Sequence, residues 1–203
     1  MRAQQSLGTF KLTLCGAVAA GLALLLASPA GASVGSCPSQ PVAQRFLQWS
    51  DPAWYAALPG GGFEPATAPW TLTGGAVVAE GNEPFHIGTA ADHRSLQLPP
   101  GASATSPAIC IGVEHPTLRL VARNGGSATA PLTVSAVVSD PTGGKRSILL
   151  AALTARDWAP TAPIPVTLNA LALALPQSAA FRFSSAGGAW AIDDVYIDPY
   201  GKG

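Results

Sequence analysis

The chain has 203 residues, a length that suits one domain preceded by a leader. Hydrophobic residues make up 48% of it and charged residues only 11%, and the 11 Lys and Arg residues balance the 11 Asp and Glu residues. This composition excludes a disordered chain, and the lack of a basic excess argues against a nucleic-acid partner.

The first 32 residues have the pattern of an export signal. Arg2 and Lys11 precede the apolar run "LTLCGAVAAGLALLLA", and the small-residue run "SPAGAS" follows it. Cleavage after Ala30 or Ala32 fits this order. A retained membrane anchor is the alternative, but the apolar run is short for a span. The sequence therefore predicts a secreted protein that has no membrane contact after cleavage.

The three cysteines are divided between the predicted signal and the rest of the chain. Cys15 lies within the predicted signal, so Cys37 and Cys110 are left as an even pair in an exported chain. Such a pair predicts a disulfide. The stretch "VGSC" at 34–37 also resembles a lipoprotein acylation site, but acylation would leave Cys110 alone. The disulfide is the favoured interpretation.

Residues 33–58 form a predicted lead-in segment ahead of a domain at 59–203. Most of the lead-in resists a strand assignment. The spacing of Val42, Phe46 and Trp49 predicts one short helix, and Pro52 interrupts it. We expect this segment to pack across the domain, held there by Cys37.

From residue 59 onward, glycine and proline separate short apolar segments, which predicts an all-β antiparallel sandwich. Two segments alternate clearly: Leu118 and Leu120 share one face, and Phe181 and Phe183 share one face. Alternation predicts one buried and one solvated face for each sheet. The predicted strands are 62–64, 70–74, 76–79, 85–88, 95–99, 107–113, 117–123, 132–139, 147–154, 165–171, 180–185 and 189–197.

Two motifs at opposite ends of the domain carry a family resemblance. They are "PGGGFEPATAPWTLTGGA" at 59–76 and "WAIDDVYIDPY" at 190–200. Together they resemble the galactose-binding-like jelly roll of bacterial carbohydrate-binding modules, and the chain is also similar to small exported proteins of high-GC bacteria. The resemblance implies a jelly-roll β-sandwich. Function requires an argument from the site, since one fold hosts many functions.

The closing strand carries adjacent acids. Period-two geometry places Asp193 on the face of Val195 and Ile197, so Asp193 points inward if those two residues enter the core. A buried carboxylate is costly unless it is paired, hydrogen-bonded or metal-bound. Asp194 and Asp198 are predicted to be solvated or to cap turns.

The resemblance implies a structural calcium ion held by Glu64 and Asp193. Calcium favours oxygen ligands, and an ion there would join the first and last strands. The alternative is that both acids accept hydrogen bonds from loop amides or pair with Arg182 or Arg119. The residues alone leave this choice open.

Three aromatic residues are candidates for stacking on a sugar ring: Trp158, Trp54 and Tyr55. Each lies in a proline-containing connection where exposure is plausible, although packing is the alternative for each. Trp70 and Trp190 belong to the strand motifs and are predicted to lie in the core.

Nothing in the sequence predicts catalysis. There is no G-x-S-x-G motif, and the spacings of His86, His93 and His115 match no compact zinc motif. The prediction is a secreted, non-catalytic module that binds a polysaccharide or another glycan at or outside the cell envelope. The alternative is a structural or protein-interaction domain of the envelope without sugar affinity.

Overall fold

The computed structural model describes residues 37–64, 69–112, 114–127, 129–139, 143–166 and 177–199. All of them belong to one compact unit, which extends over Ser33–Gly203. The predicted signal at 1–32 lies outside the described residues. Within the described part of the chain, no helix has the length and apolar character needed to cross a membrane.

The structure is built almost entirely of strands. The predicted short helix is a single 3₁₀ turn at Leu47–Trp49. The strands are β1 (Ala56–Ala57), β2 (Thr71–Thr73), β3 (Val77–Glu80), β4 (Arg94–Leu98), β5 (Ser103–Thr105), β6 (Ile109–Ile111), β7 (Thr117–Asn124), β8 (Leu132–Ser139), β9 (Lys145–Leu153), β10 (Ala159–Pro160), β11 (Ile164–Pro165), β12 (Gln177–Ser185) and β13 (Trp190–Asp198).

Two sheets face each other. The seven-stranded sheet has the order β10-β7-β13-β4-β3, with β1 paired to β13 and β11 paired to β7. The six-stranded sheet has the order β2-β5-β12-β8-β9, with β6 paired to β12. Every pairing between these strands is antiparallel. The predicted antiparallel β-sandwich is therefore confirmed.

The core between the sheets follows the predicted alternation. Leu118 and Leu120 of β7 meet Phe181 and Phe183 of β12, and all four are fully buried. Trp70 and Trp190 also lie in this core, as predicted. Because alternate residues of facing strands interdigitate, this apolar layer is the main source of stability.

Several local predictions were wrong. The segments 62–64 and 85–88 are turns and loops. The predicted strand 165–171 lies mostly outside the described residues, and β11 covers only Ile164–Pro165. Both wrong segments contain apolar residues that are buried without sheet pairing: Phe63 lies in the main core and Ile87 in a second apolar cluster.

The closing strand changes face at a bulge. Asp193 is opposite Val121 and Tyr196 is opposite Arg119, so two residues of β13 face the single residue between them on β7. Asp194 takes the left-handed conformation there, with φ of 50°. This backbone is tolerated by Asp better than by most residues.

The bulge corrects the predicted orientation of Asp193. Ile192 and Val195 both enter the sandwich core, although strict period-two alternation places them on opposite faces. Asp193 shares the face of Val121, which belongs to a second apolar cluster. Asp193 is thus buried as predicted, but on the outer face of the seven-stranded sheet.

The lead-in covers part of that outer face. Phe46 packs edge-on against Tyr55 and Tyr196, with ring centroids 5.0 and 5.8 Å away. The guanidinium of Arg119 lies 4.3 Å from the centre of the Phe46 ring and forms an ion pair with Asp51. The outer face is therefore only partly solvated, in contrast to the prediction.

A disulfide joins the lead-in to β6. Cys37 and Cys110 are bonded, with a Cα–Cα distance of 5.6 Å and a sequence separation of 73. Because the cross-link closes a long loop, it restricts the unfolded chain strongly.

We expect the double variant Cys37→Ser/Cys110→Ser to lower the free energy of unfolding by about 4 kcal/mol, the chain-entropy value for a loop of this length. Urea denaturation of the full chain measures it. The matched control is Cys15→Ser, which removes a cysteine outside the disulfide. A loss below about 1 kcal/mol for the double variant would contradict this account.

Candidate functional site

A group of buried carboxyl groups lies on the outer face of the seven-stranded sheet, beneath a covering loop. One oxygen of Asp193 accepts the backbone N–H of Asp194 at 2.8 Å, and the other accepts that of Glu83 at 3.4 Å. The Glu83 carboxylate in turn accepts the backbone N–H groups of Phe85 and Ile87. These bonds fold the 83–87 segment over the sheet.

Asp194 is also buried, in contrast to the prediction that it is solvated. Its oxygens accept the backbone N–H of Gly88 at 3.2 Å and the hydroxyl of Tyr196 at 3.2 Å. Asp198 is 8% exposed, so it too is more buried than predicted. The bulge accounts for Asp194, because it turns this side chain toward the covering loop.

The environment of these acids favours their neutral forms. Burial raises the pKa of Asp193 to about 9, and the charge of Asp194 adds to the rise. Burial likewise raises the pKa of Asp194 to about 7, with the Glu83 carboxyl adding to it. A carboxyl group removed from water keeps its proton unless a cation compensates the charge.

Glu64 makes a separate set of contacts. Its Oε1 accepts the backbone N–H groups of His93 at 2.7 Å and Arg94 at 3.0 Å, and its Oε2 lies 2.9 Å from the His93 ring. None of these partners contacts Asp193. The contacts of Glu64 and of Asp193 thus have no partner in common, and within the described residues no hydrogen bond or ion pair links the two acids as one ligand set.

An open groove crosses the outer face of the same sheet beyond the buried acids. Cross-strand pairing places Gln97 beside Ala191, and Ala191 beside Arg123. Since residues paired across antiparallel strands point to the same side, these three side chains form one row. A cleft of about 320 Å³ runs along this row. Its floor includes the small residues Ala191, Gly125 and Ala189.

Trp158 extends the row at its far end. It precedes β10, whose Ala159 is paired with Ala122, so Trp158 lies next to Arg123. The Arg123 guanidinium is 5.1 Å from the centre of the indole ring. Trp158 is half-exposed, and Arg123 is exposed. Cation–π contact holds the guanidinium at the groove.

The polar groups of the groove retain hydrogen-bonding capacity. Among the described residues, Arg123 forms no ion pair and its guanidinium donates no hydrogen bond. Gln97 donates its amide to the Ser95 hydroxyl at 2.8 Å, which leaves the Gln97 amide oxygen as an acceptor. The groove thus combines an aromatic ring, five guanidinium N–H donors and an amide acceptor.

The other predicted ligand-binding residues have different surroundings. Tyr55 is 2% exposed and donates its hydroxyl to Asp51 at 2.7 Å, so its ring is not available for stacking. Trp54 is half-exposed and belongs to the lead-in, away from the residues that line the groove. Of the three predicted aromatics, only Trp158 contacts a residue that lines the groove, through Arg123; Trp158 itself packs against the second apolar cluster, which contains Val121.

The opposite face of the molecule has a different character. The outer row of the six-stranded sheet runs through Thr71, Thr105, Arg182, Ser135 and Leu149, in register. Within the described strands of that sheet, no aromatic side chain points outward, since Phe181 and Phe183 both enter the core. This face has hydroxyl groups but no ring on which a sugar could stack.

Sequence reasoning missed Gln97, Arg123 and Ala191. Each was assigned to a strand, and period-two alternation places Gln97 opposite to the buried Leu96 and Leu98. Alternation cannot show that three strands distant in sequence lie side by side. The row appears only when β4, β13 and β7 are paired.

The buried acids predict an unusual pH dependence. Asp193 keeps its proton in the folded state up to about pH 9, whereas the unfolded chain loses it near pH 4. The folded state therefore binds more protons in that window, and stability falls as pH rises. Burial lowers the pKa of His115, so this residue makes the stability rise with pH instead. That rise ends by neutral pH, where the imidazole is neutral in the folded and the unfolded chain.

We expect the free energy of unfolding to fall between about pH 7 and pH 9, by up to about 1.4 kcal/mol per pH unit. Asp193→Asn, which is neutral throughout, should flatten this decline, while the exposed-acid control Asp157→Asn should not. Urea denaturation at several pH values measures the slope. An unchanged slope in Asp193→Asn would contradict the assignment.

No protein-family model matches the chain, and no curated protein matches it. Solved structures do. The CBM22-1 xylan-binding domain from Paenibacillus barcinonensis Xyn10C is 18% identical, with a TM-score of 0.50 over 70% of this chain and 94% of that one. The tandem CBM22-1-CBM22-2 domain of the same protein is 16% identical, with a TM-score of 0.54 over 80% and 48%.

The CBM22-1-GH10 modules of Clostridium thermocellum xylanase 10B, complexed with xylohexaose, are 13% identical, with a TM-score of 0.50. That match covers 68% of this chain and 27% of the other, so it concerns one part of a multi-module chain. Identities this low show the fold alone. The chain therefore shares the β-sandwich fold of carbohydrate-binding modules.

Proposed function

We propose that the protein is an exported, non-catalytic module that binds a polysaccharide or a cell-envelope glycan in the groove formed by Gln97, Ala191, Arg123 and Trp158. The observation that carries the proposal is the in-register row itself. It places an aromatic ring beside hydrogen-bonding groups on an open sheet face, which is the combination that sugar recognition needs.

Each residue has a role in this proposal. Trp158 offers an apolar surface to the C–H face of a sugar ring, and Arg123 donates hydrogen bonds to its hydroxyl groups. Gln97 accepts a hydrogen bond on the other side. Ala191 lies between them at the base of the cleft and is itself only 2% exposed, so the sugar would rest on the two flanking side chains. Xylan-binding neighbours with the same fold support the choice of ligand class.

Export is supported by the apolar leader and by the disulfide, since disulfides persist in oxidising compartments. On this proposal the ligand lies outside the cytoplasm, at or beyond the cell envelope. The alternative of a protein-interaction domain has less support, because the polar side chains of Gln97 and Arg123 flank the groove and the exposed large apolar residues are scattered.

We expect the protein to bind at least one member of a panel of soluble xylans, galactans and glucans in affinity electrophoresis. Trp158→Ala should weaken binding about tenfold, since a stacked aromatic contributes on the order of 1 kcal/mol. Arg123→Ala should weaken it by at least as much, because hydrogen bonds from a charged donor are worth about 1.5–3 kcal/mol.

The matched control is Arg182→Ala, which removes an exposed arginine from the opposite sheet. It should bind as the native protein does. Failure of the native protein to bind any glycan of the panel would contradict the function. An equal loss in Arg182→Ala would contradict the location.

Calcium binding by Glu64 and Asp193 stays a prediction from the resemblance, and the N–H contacts of the two acids argue against it. We therefore expect the same thermal midpoint in excess calcium and in excess chelator. A midpoint that rises with calcium, and that loses this rise in Glu64→Gln, would show that an ion binds there after displacing those N–H donors.

A further inference from the structure

A second group of donor atoms surrounds the disulfide, remote in sequence from the groove. The Sγ of Cys37, a carboxylate oxygen of Glu114 and a ring nitrogen of His115 all lie within 4.8 Å of one another. The sulfur of Cys110 is bonded to that of Cys37 and lies next to this group, outside its 4.8 Å limit, so Cys110 becomes a ligand only when reduction frees its side chain to turn. Within the described part of the chain, no other cluster of three such residues is this close.

The local backbone brings these side chains together. Glu114 accepts the backbone N–H of Cys37 at 3.1 Å, which holds the start of the lead-in against the turn. His115 accepts the backbone N–H of Gly112 at 3.1 Å. A Cβ at Gly112 would lie 2.2 Å from a Glu114 oxygen, so a larger residue there would displace this carboxylate from its present position. The hydrogen bonds of Glu114 with Cys37 and of His115 with Gly112 thus preorganise the donors.

Solvent reaches the group through a cleft of about 290 Å³. Cys37, Glu114 and His115 all line it, together with Gln40 and Pro199. Cys37 and Glu114 are partly exposed, while His115 is buried. An ion therefore has a path to the sulfur and the imidazole without unfolding the domain.

The bonded sulfurs are weak ligands, because a disulfide carries no negative charge and thiolates are the form that binds metals. We infer that the reduced protein binds one Zn²⁺ through Cys37, Cys110, Glu114 and His115. Two sulfurs, one imidazole and one carboxylate give the four N, S and O donors that tetrahedral zinc prefers.

The chemistry balances with a small dithiol as the reductant. The dithiol gives two electrons and two protons, the bond between Cys37 and Cys110 breaks, and the reductant becomes a disulfide. Zinc then replaces the two thiol protons, which go to solvent. If zinc takes the nitrogen of His115 that faces Gly112, it also replaces that hydrogen bond.

The consequence concerns the lead-in. Cys37 begins the described part of this segment, and its disulfide ties the segment to β6. A zinc ion on the same residues would connect the same two segments after reduction. The site would therefore preserve the lead-in, and with it the covered part of the outer sheet face, in either redox state.

The test uses the full chain with Cys15→Ser, so that Cys37 and Cys110 are its only cysteines. The protein is reduced with dithiothreitol, freed of reductant without oxygen, and titrated with Co²⁺ and then Zn²⁺. We expect one ion per chain, a thiolate-to-cobalt charge-transfer band and the visible bands of tetrahedral cobalt. The oxidised protein should show none of these.

Glu114→Gln and His115→Gln should each weaken zinc binding at least about tenfold, since loss of even an outer partner of a metal site typically costs that much. His86→Gln, an exposed histidine elsewhere, is the matched control and should bind as the parent does. Circular dichroism follows the β-structure throughout, so that folding and binding are measured separately.

Three results would overturn the inference. One is equal metal binding by the oxidised protein. Another is unchanged affinity in both Glu114→Gln and His115→Gln, which would mean that the thiols bind alone. The third is loss of β-structure on reduction that zinc does not reverse, since the site requires the folded turn.

Discussion

The bulge in β13 is the constraint on which the rest of the structure depends. Because Asp194 and Val195 together face one residue of β7, the strand presents Ile192 and Val195 to the core and still directs Tyr196 outward. A regular strand would send either Ile192 or Val195 to the outer face. The backbone of Val195 is also hydrogen-bonded to the turn that contains Leu58 and Gly61. Its N–H donates to the carbonyl of Gly61, and its carbonyl accepts the N–H of Leu58. The bulge thereby ties the two ends of the domain together.

The bulge divides the outer face of the seven-stranded sheet into a covered part and an open part. On one side of it, Tyr196 and Arg119 are covered by Phe46 of the lead-in, and Asp193 is covered by the loop that begins at Glu83. Beyond this cover, the row from Gln97 to Trp158 stays open. The lead-in and the loop thus cover one part of the outer face, and the residues that line the groove lie outside that cover. Burial raises the pKa values of Asp193 and Asp194, and the backbone N–H groups that these two acids accept offset part of the cost of burying them.

Most of the fold could be predicted from the sequence, because alternation on single strands such as β7 and β12 carries the information. The disulfide could be predicted because only two cysteines remain once the predicted signal is removed. What could not be predicted depends on pairing between distant strands. The bulge is a register shift between β13 and β7, so counting along β13 alone gave Asp193 the wrong face and left Asp194 in solvent. Of the candidate ligand residues, Trp158 contacts Arg123 of the groove, whereas Tyr55 is held by Asp51. The closeness of His115 to Cys37, 78 residues earlier in the numbering, likewise has no signature in spacing.

The central claim is that a glycan binds on the open end of the seven-stranded sheet. Backbone and side-chain NMR of the protein, titrated with an oligosaccharide of the best-bound polysaccharide, tests it most directly. The account predicts that the largest shift changes fall on the Trp158 indole N–H, the Gln97 amide, the Arg123 guanidinium and the backbone of Ala191. Changes that instead centre on Thr105, Arg182 and Ser135 of the opposite sheet would contradict it, as would a spectrum that no oligosaccharide alters.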